Sequence, residues 1–207
     1  MSKNKNNKPV WSTRIRQKGT TTFQKVGASL HIDKRLYKED IKASIAHVEM
    51  LGKQKIISLS IKNKILWGLN KILNEIKKKK IIFNIKNEDI HMSIESRLFE
   101  ILGDDAGFVH TARSRNDQVL TDLKLWLKNS THEIIGELNK TIKLFLKSAE
   151  KNIDTIMPGF THLKNAQPIS FAHYLNAYIE MFIRDKKRFQ NNLENLNQNP
   201  LGVAALT

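Results

Sequence analysis

The chain has no cysteine, so neither a disulfide framework nor thiolate chemistry is available to it. That absence fits a reducing compartment. It also has no apolar run long enough to span a bilayer, and its first residues, M-S-K-N-K-N-N-K-P, lack the apolar segment of a secretory signal. These features point to a cytoplasmic protein with no membrane role. Proline is scarce, at four residues in 207, and none interrupts the long periodic stretches. No segment shows sustained strand alternation. There is no glycine-rich phosphate loop, no His-x-x-x-His pair with a helper glutamate, and no serine in a strand-to-helix elbow. Phosphate-loop chemistry, a metal centre of that type and a serine hydrolase are therefore not supported, and no cofactor is expected.

Acidic residues are also in deficit, leaving a formal charge of +15. Such an excess raises nucleic acid or an anionic membrane surface as partners. The composition argues otherwise. Lysine outnumbers arginine 27 to 8, and Ile and Asn reach 24 and 19, so the excess follows a bias toward residues with A/T-rich codons. The positive charge is spread along the chain, and the dense run Lys77–Lys80 closes a helix, where cations complement the dipole. Its expected effect is faster encounter with an anionic small molecule.

What the chain does have is helical periodicity. Leu36, Ile41, Ile45, Val48 and Leu51 form one stripe, with Asp33 as its cap and Gly52 as its stop. A second helix over about 60–78 turns Ile61, Ile65, Leu69, Ile72 and Ile76 inward. A third, over about 87–102, does so with Ile90, Ile94, Leu98 and Ile101, and Gly103 ends it. Two longer helices follow, over about 119–152 and 168–197, with Pro168 in a first helical position. Helices of about 30 residues reach about 45 Å and call for a bundle that two of them cannot make alone. The expected fold is all-α: a flexible arm over 1–28, a small N-terminal helical domain over 29–112, and the first long helices of an incomplete central helix bundle over 113–207. Their apolar stripes have too few partners within the chain, so self-association is expected.

One stretch concentrates chemistry: H-T-A-R-S-R-N-D-Q-V-L-T-D at His110–Asp122. Arg113, Ser114, Arg115, Asn116 and Gln118 stand at the mouth of a helix. Paired guanidinium donors and a helix N-terminus suit carboxylates. A solvated loop with an Asp cap fits the composition equally well, and Asp117 and Asp122 read as capping and pairing groups. A second constellation, Gly159-Phe160-Thr161-His162-Leu163, lies between the long helices. A histidine there can exchange a proton at neutral pH, and a neighbouring hydroxyl can hold a substrate oxygen. Alone, a Thr-His pair carries little weight. His47, His91, His132 and His173 fall within helices and read as packing or solvated groups.

The residue order says more. R-S-R-N-D-Q-V with T-D-L-K-L-W-L, E-D-I-H-M-S-I-E-S-R-L at Glu88–Leu98, M-P-G-F-T-H-L-K-N-A-Q-P-I-S-F-A-H at Met157–His173 and P-L-G-V-A-A-L at Pro200–Leu206 together resemble the argininosuccinate lyases of the fumarase/aspartase superfamily. The resemblance covers nearly the whole chain from about Ala28. It implies reversible β-elimination of argininosuccinate to arginine and fumarate, without metal or cofactor. By position it implies His162 as general acid/base with Thr161 beside it. It implies Ser29, Arg113, Asn116 and Thr161 as substrate-binding groups, with Arg115, Gln118 and Asp89 as further candidates. Asp89 reads more readily as a helix-start acid. The resemblance also implies a homotetramer whose sites draw on several subunits.

The chain departs from that pattern in two places. Trp11 is followed by Ser12-Thr13-Arg14-Ile15 where the family has Trp-Gly-Gly-Arg-Phe, and the family's mobile Gly-Ser-Ser loop is absent. The expectation is an N-terminal portion of a lyase, whether fragment, truncated product or half of a split enzyme, inactive by itself. Other readings are another superfamily lyase, such as adenylosuccinate lyase, fumarase or aspartase, or a catalytically incomplete structural subunit.

Overall fold

The computed structural model describes residues 20, 22, 26–80, 83 and 87–204. Most of the basic arm over 1–28, Trp11 included, lies outside the described residues. After a turn of helix at Leu30–Asp33 and a 3-10 turn at Lys34–Leu36 come α1 (Tyr37–Lys53), α2 (Leu59–Lys77) and α3 (Ile90–Leu102). A 3-10 segment, Gly103–His110, leads to the long α4 (Arg115–Lys151). A hairpin of β1 (Ile156–Thr161) and β2 (Lys164–Ser170) precedes α5 (Phe171–Leu196). The chain forms two compact units. The first contains the residues up to Leu123 and those from Pro200, and the second contains Lys124–Asn199, so the division falls inside α4.

The first unit is built on the stripes that the periodicity marks. Ile41, Val48 and Leu51 of α1, Ile65, Leu69 and Ile72 of α2, and Ile90, Ile94 and Leu98 of α3 are all buried. Side-chain caps set two of the starts. Ser58 Oγ accepts from Ile61 N at 3.2 Å, and Asp89 Oδ1 accepts from Met92 N at 2.6 Å. Gly103 ends α3 with φ +65°, a conformation glycine adopts without steric cost.

Two expectations about α1 need correction. Asp33 does not cap it; its carboxylate accepts instead from Ser29 Oγ at 2.6 Å and from Ile90 N at 3.1 Å, tying the entry turn to the start of α3. Gly52 does not stop it either. It is buried inside the helix, where a Cβ would meet the Lys62 side chain at 2.4 Å, so its smallness serves close approach of α2. The chain turns at Lys55, with φ +59°.

Gly68 serves the same purpose between α2 and α3. A Cβ there would lie 2.6 Å from Leu98 Cδ1 and 3.2 Å from Leu102 Cδ1. Gly68→Ala is therefore expected to destabilise the protein by about 1–3 kcal/mol of overpacking. The helix-propensity gain of about 1 kcal/mol offsets only part of this. A lower urea midpoint with unchanged helicity is the expected readout, and a raised midpoint would contradict the packing described.

In the second unit, α4 and α5 bury Ala149, Ala172 and Leu175 with Phe145 and Phe171 against them, and Phe145 meets Phe182 edge-on at 5.6 Å. Much of the predicted stripe of α4 stays open, with Leu120, Leu123 and Ile134 all more than a third exposed. The connection between the long helices is a β-hairpin, where the sequence reads as a loop. Pro168 is not a first helical residue: it pairs with Pro158 in the ladder, and Ser170 caps α5 by accepting from His173 N at 3.1 Å. The hairpin escapes the alternation test because its outer residues have no buried face to mark; residues 161–168 are all exposed. Among the described residues, no helix is long and apolar enough to cross a membrane.

Candidate functional site

The His110–Asp122 stretch makes a turn with Ala112 in the left-handed region and delivers α4, which begins at Arg115 and not at the expected Val119, so Arg115–Gln118 form its first turn instead of preceding it. Its two guanidinium groups are already engaged. Arg113 is 7% exposed and points inward, donating to Ser44 Oγ at 3.0 Å and, at 3.5 Å, to the Val109 carbonyl. Its Nε and Nη2 have no hydrogen-bond partner among the described residues. Burial lowers its pKa, an effect that Asp40 and Asp122 oppose. The adjoining cavity, lined by Asp40, Ser44, Glu95 and Gln118 among others, is about 10 Å³, room for one water and not for a dicarboxylate.

Arg115 makes a bidentate pair with Glu95 at 3.1 and 3.0 Å, donates to Gln118 Oε1 at 2.8 Å, and lies 3.4 Å from Asp89 Oδ2. Glu95 also accepts from His110 Nδ1 at 3.2 Å. Burial raises the Glu95 carboxyl, but His110 and Arg115 outweigh it and hold it below its usual range.

Behind these lies a polar network that the sequence shows only in part. Gln118 Nε2 donates to Asp40 Oδ1 at 2.6 Å. His91 Nε2 donates to Asp122 Oδ2 at 2.9 Å, and His91 Nδ1 stands 3.7 Å from Asp89 Oδ2, an ion-pair distance too long for a hydrogen bond. Ligand atoms of Asp40, His91 and Asp122 fall within 4.8 Å of one another, all fully buried. The set closes on itself through Asp122, His91, Asp89, Arg115, Gln118 and Asp40, and joins α1, the α3 cap and the start of α4. His91 sits two residues past the Asp89 cap, beside the inward Ile90 and Ile94, and a titratable group on an apolar stripe is the signal that could have marked it.

Burial alone would lower the His91 pKa; the carboxylates of Asp122 and Asp89 reverse this and raise it to about 10. Burial raises Asp122 to about 7, with His91 opposing and Asp40 adding to the rise. The cluster thus carries its own cation, the imidazolium, with Arg113 and Arg115 close by, and reads as an ion-pair network. Both shifts have the same sign for stability. The folded state holds each proton more tightly than the unfolded chain. The His91 contribution is complete below pH 6.5 and lost as pH rises through about 10, while that of Asp122 is lost between 3.8 and about 7. The melting temperature is expected to fall as pH rises from neutral toward 10, and less steeply in His91→Gln; equal slopes would contradict this assignment.

The exposed predicted groups are Ser29 and Asn116 in this unit. Ser29 and Leu30 donate their N–H groups to the Glu88 carbonyl at 2.8 and 3.1 Å, which sets Ser29 beside the Asp89 cap. In the second unit Thr161 and His162 occupy the hairpin tip. Thr161 pairs with Lys164, and His162 and Leu163 between them take φ +49° and +62°, the left-handed pair a two-residue turn requires. Neither residue is Asn or Gly, and side chains held in such strained conformations are a mark of functional turns. A groove of about 390 Å³ on α2, lined by Trp67, Lys71 and Lys78 among others, includes none of the predicted residues.

The fold of long helices joined by a hairpin is shared with known structures. An EDDS lyase in complex with formate superposes with TM-score 0.74 at 26% identity, covering 88% of this chain and 35% of that one. A fumarate lyase:delta crystallin from Brucella melitensis matches in fold with TM-score 0.71 at 18% identity, covering 89% of this chain and 48% of that one. The family model described as Lyase matches residues 13–207, and the chain belongs to that family. Its relatives include the argininosuccinate lyases of Pelagibacter ubique, 65% identical over 100% of this chain and 45% of that protein, and of Chelativorans sp., 46% identical over 100% and 44%. The chain spans less than half the length of these relatives.

Proposed function

We propose that this chain carries part of an argininosuccinate lyase site, acting in arginine biosynthesis on a small anionic substrate in the cytoplasm. The observation that carries the proposal is the 65% identity to an argininosuccinate lyase over all 207 residues, beside the R-S-R-N-D-Q and T-H-L-K-N-A-Q-P stretches of this sequence. In the reaction a proton leaves the succinyl carbon next to a carboxylate. The electron pair forms the double bond of fumarate as the C–N bond breaks, and the arginine nitrogen takes up a proton. Charge builds on the carboxylate beside the deprotonated carbon, so preorganised donors there lower the barrier most.

Asn116 in one unit and Thr161 in the other are the exposed donors proposed to hold substrate oxygens. Ser29, also exposed, is proposed to meet substrate through its oxygen or after its hydroxyl leaves Asp33, to which it donates at 2.6 Å. His162 is proposed to move a proton. Arg113, Arg115, Gln118 and Asp89 are proposed to support the mouth of α4 rather than to meet substrate, because their polar atoms are buried or engaged within the protein. A homo-oligomer, a tetramer in the family, or a polypeptide supplying the remaining site parts is the proposed assembly. An EDDS lyase variant with bound fumarate, at TM-score 0.74 and 26% identity, supports fumarate as a ligand of this fold and keeps another superfamily lyase reaction as the second reading.

The chain of 207 residues alone, with no serine loop, is expected to release no fumarate from argininosuccinate above background, read as fumarate absorbance. Clear turnover would overturn the incomplete-site reading, and a panel including adenylosuccinate distinguishes the superfamily substrates.

A further inference from the structure

We infer that Asp117 is a positioning residue that latches the segment after α5 onto the mouth of α4, beside Asn116. Asp117 is buried, and both its oxygens are used. Oδ1 accepts from Ser114 N at 3.1 Å, an ordinary helix-start contact. Oδ2 accepts from Gly202 N at 3.3 Å and Ala204 N at 2.9 Å, contacts that a helix cap does not need. The receiving backbone is shaped for this: Gly202 has φ +100° and Ala204 φ +55°, a conformation alanine rarely adopts. Val203 N folds back to the Pro200 carbonyl at 3.3 Å, so the two neighbouring N–H groups converge on one carboxylate oxygen.

Connectivity gives the contact its consequence. The chain leaves the first unit after Leu123 and re-enters it at Pro200. One carboxylate therefore fixes both the turn that presents Asn116 and the point of return. Thr121 Oγ1 donates to the Asp117 carbonyl at 2.7 Å and braces the same turn. The latch stands on geometry alone; its effect on ligand binding rests on the reading of Asn116 as a substrate group.

The test is amide hydrogen exchange on the chain, with Asp117→Ala, the milder Asp117→Asn and, as a control on an exposed pair with Lys64, Asp105→Asn. Charge-assisted bonds of this kind predict exchange at Gly202 and Ala204 at least about tenfold faster in Asp117→Ala, with Leu69 and Leu98 unchanged. Asparagine keeps one acceptor oxygen, so Asp117→Asn should retain one side of the latch and lose the other. Should the alanine variant fail to fold, that selective loss decides the matter. Unchanged exchange at Gly202 and Ala204 in folded Asp117→Ala, or unchanged exchange at Ser114, Gly202 and Ala204 alike in Asp117→Asn, overturns the latch. Fumarate is then titrated into this chain assembled with the polypeptide that supplies the remaining site parts, while the Asn116 side-chain amide is followed by NMR. A shift in the unaltered chain and in Asp105→Asn, reached at about tenfold higher fumarate in Asp117→Asn, supports positioning. The same midpoint in all three overturns positioning, and no shift even in the unaltered chain overturns the reading of Asn116, with the latch still decided by exchange.

Discussion

Replacing His91 with alanine is expected to remove about 3–5 kcal/mol of stability, the cost of stranding one partner of a buried ion pair. Set against a typical domain stability of about 5–15 kcal/mol, that unfolds a large share of the molecules. The imidazolium is 1% exposed and is the donor to Asp122, which is fully buried and lies close to Asp40. Without it two carboxylates face each other with Gln118 as the donor to Asp40, and the links between α1, α3 and α4 loosen together. The comparison is Lys64→Ala, which breaks the 2.7 Å pair with Asp105 on a half-exposed lysine and should cost about 0–1 kcal/mol. Urea midpoints for the two variants measure the contrast. Similar small losses would mean that the network is not what joins these helices.

The second large effect concerns chemistry. In an assembled lyase containing this chain, His162→Asn is expected to slow fumarate release by about 10²–10⁴-fold, the usual contribution of a positioned acid or base. The side chain is exposed at the hairpin tip, so the substitution removes little packing and the fold should persist. Unchanged circular dichroism with lost turnover is the expected pair of results. Activity within a factor of a few would remove His162 from the mechanism.

Much of the helical architecture was legible because burial follows period. Ile65, Leu69, Ile72, Ile94 and Leu98 recur at helical spacing, and all are buried. The hairpin was not legible: only Met157 and Gly159 of β1 are half-buried and most of β2 is exposed on both faces, so no apolar alternation records it, and its two prolines pair with each other across the ladder. The cap assigned to Asp33 failed for a related reason. A side chain reads as a cap from its own segment, whereas this one answers to Ile90, 57 residues away. The existence of α4 is readable from the period that begins at Val119, but its start is not: Arg115–Gln118 read as a polar run ahead of the helix and form its first turn. What that run cannot convey is direction. Arg113 and Arg115 look like a carboxylate clamp in one dimension, and only the fold turns one onto Ser44 and pairs the other with Glu95. His91 and Asp122 lie 31 residues apart and acquire meaning only as a pair.

The measurement that bears most directly on the central claim is complementation. This chain is mixed with a polypeptide supplying the remainder of the Pelagibacter ubique relative, and fumarate release from argininosuccinate is followed by absorbance. Restored turnover, absent from either piece alone and lost with His162→Asn, is the predicted result. A soluble, co-purifying pair that releases no fumarate would contradict the account and leave a structural subunit in its place.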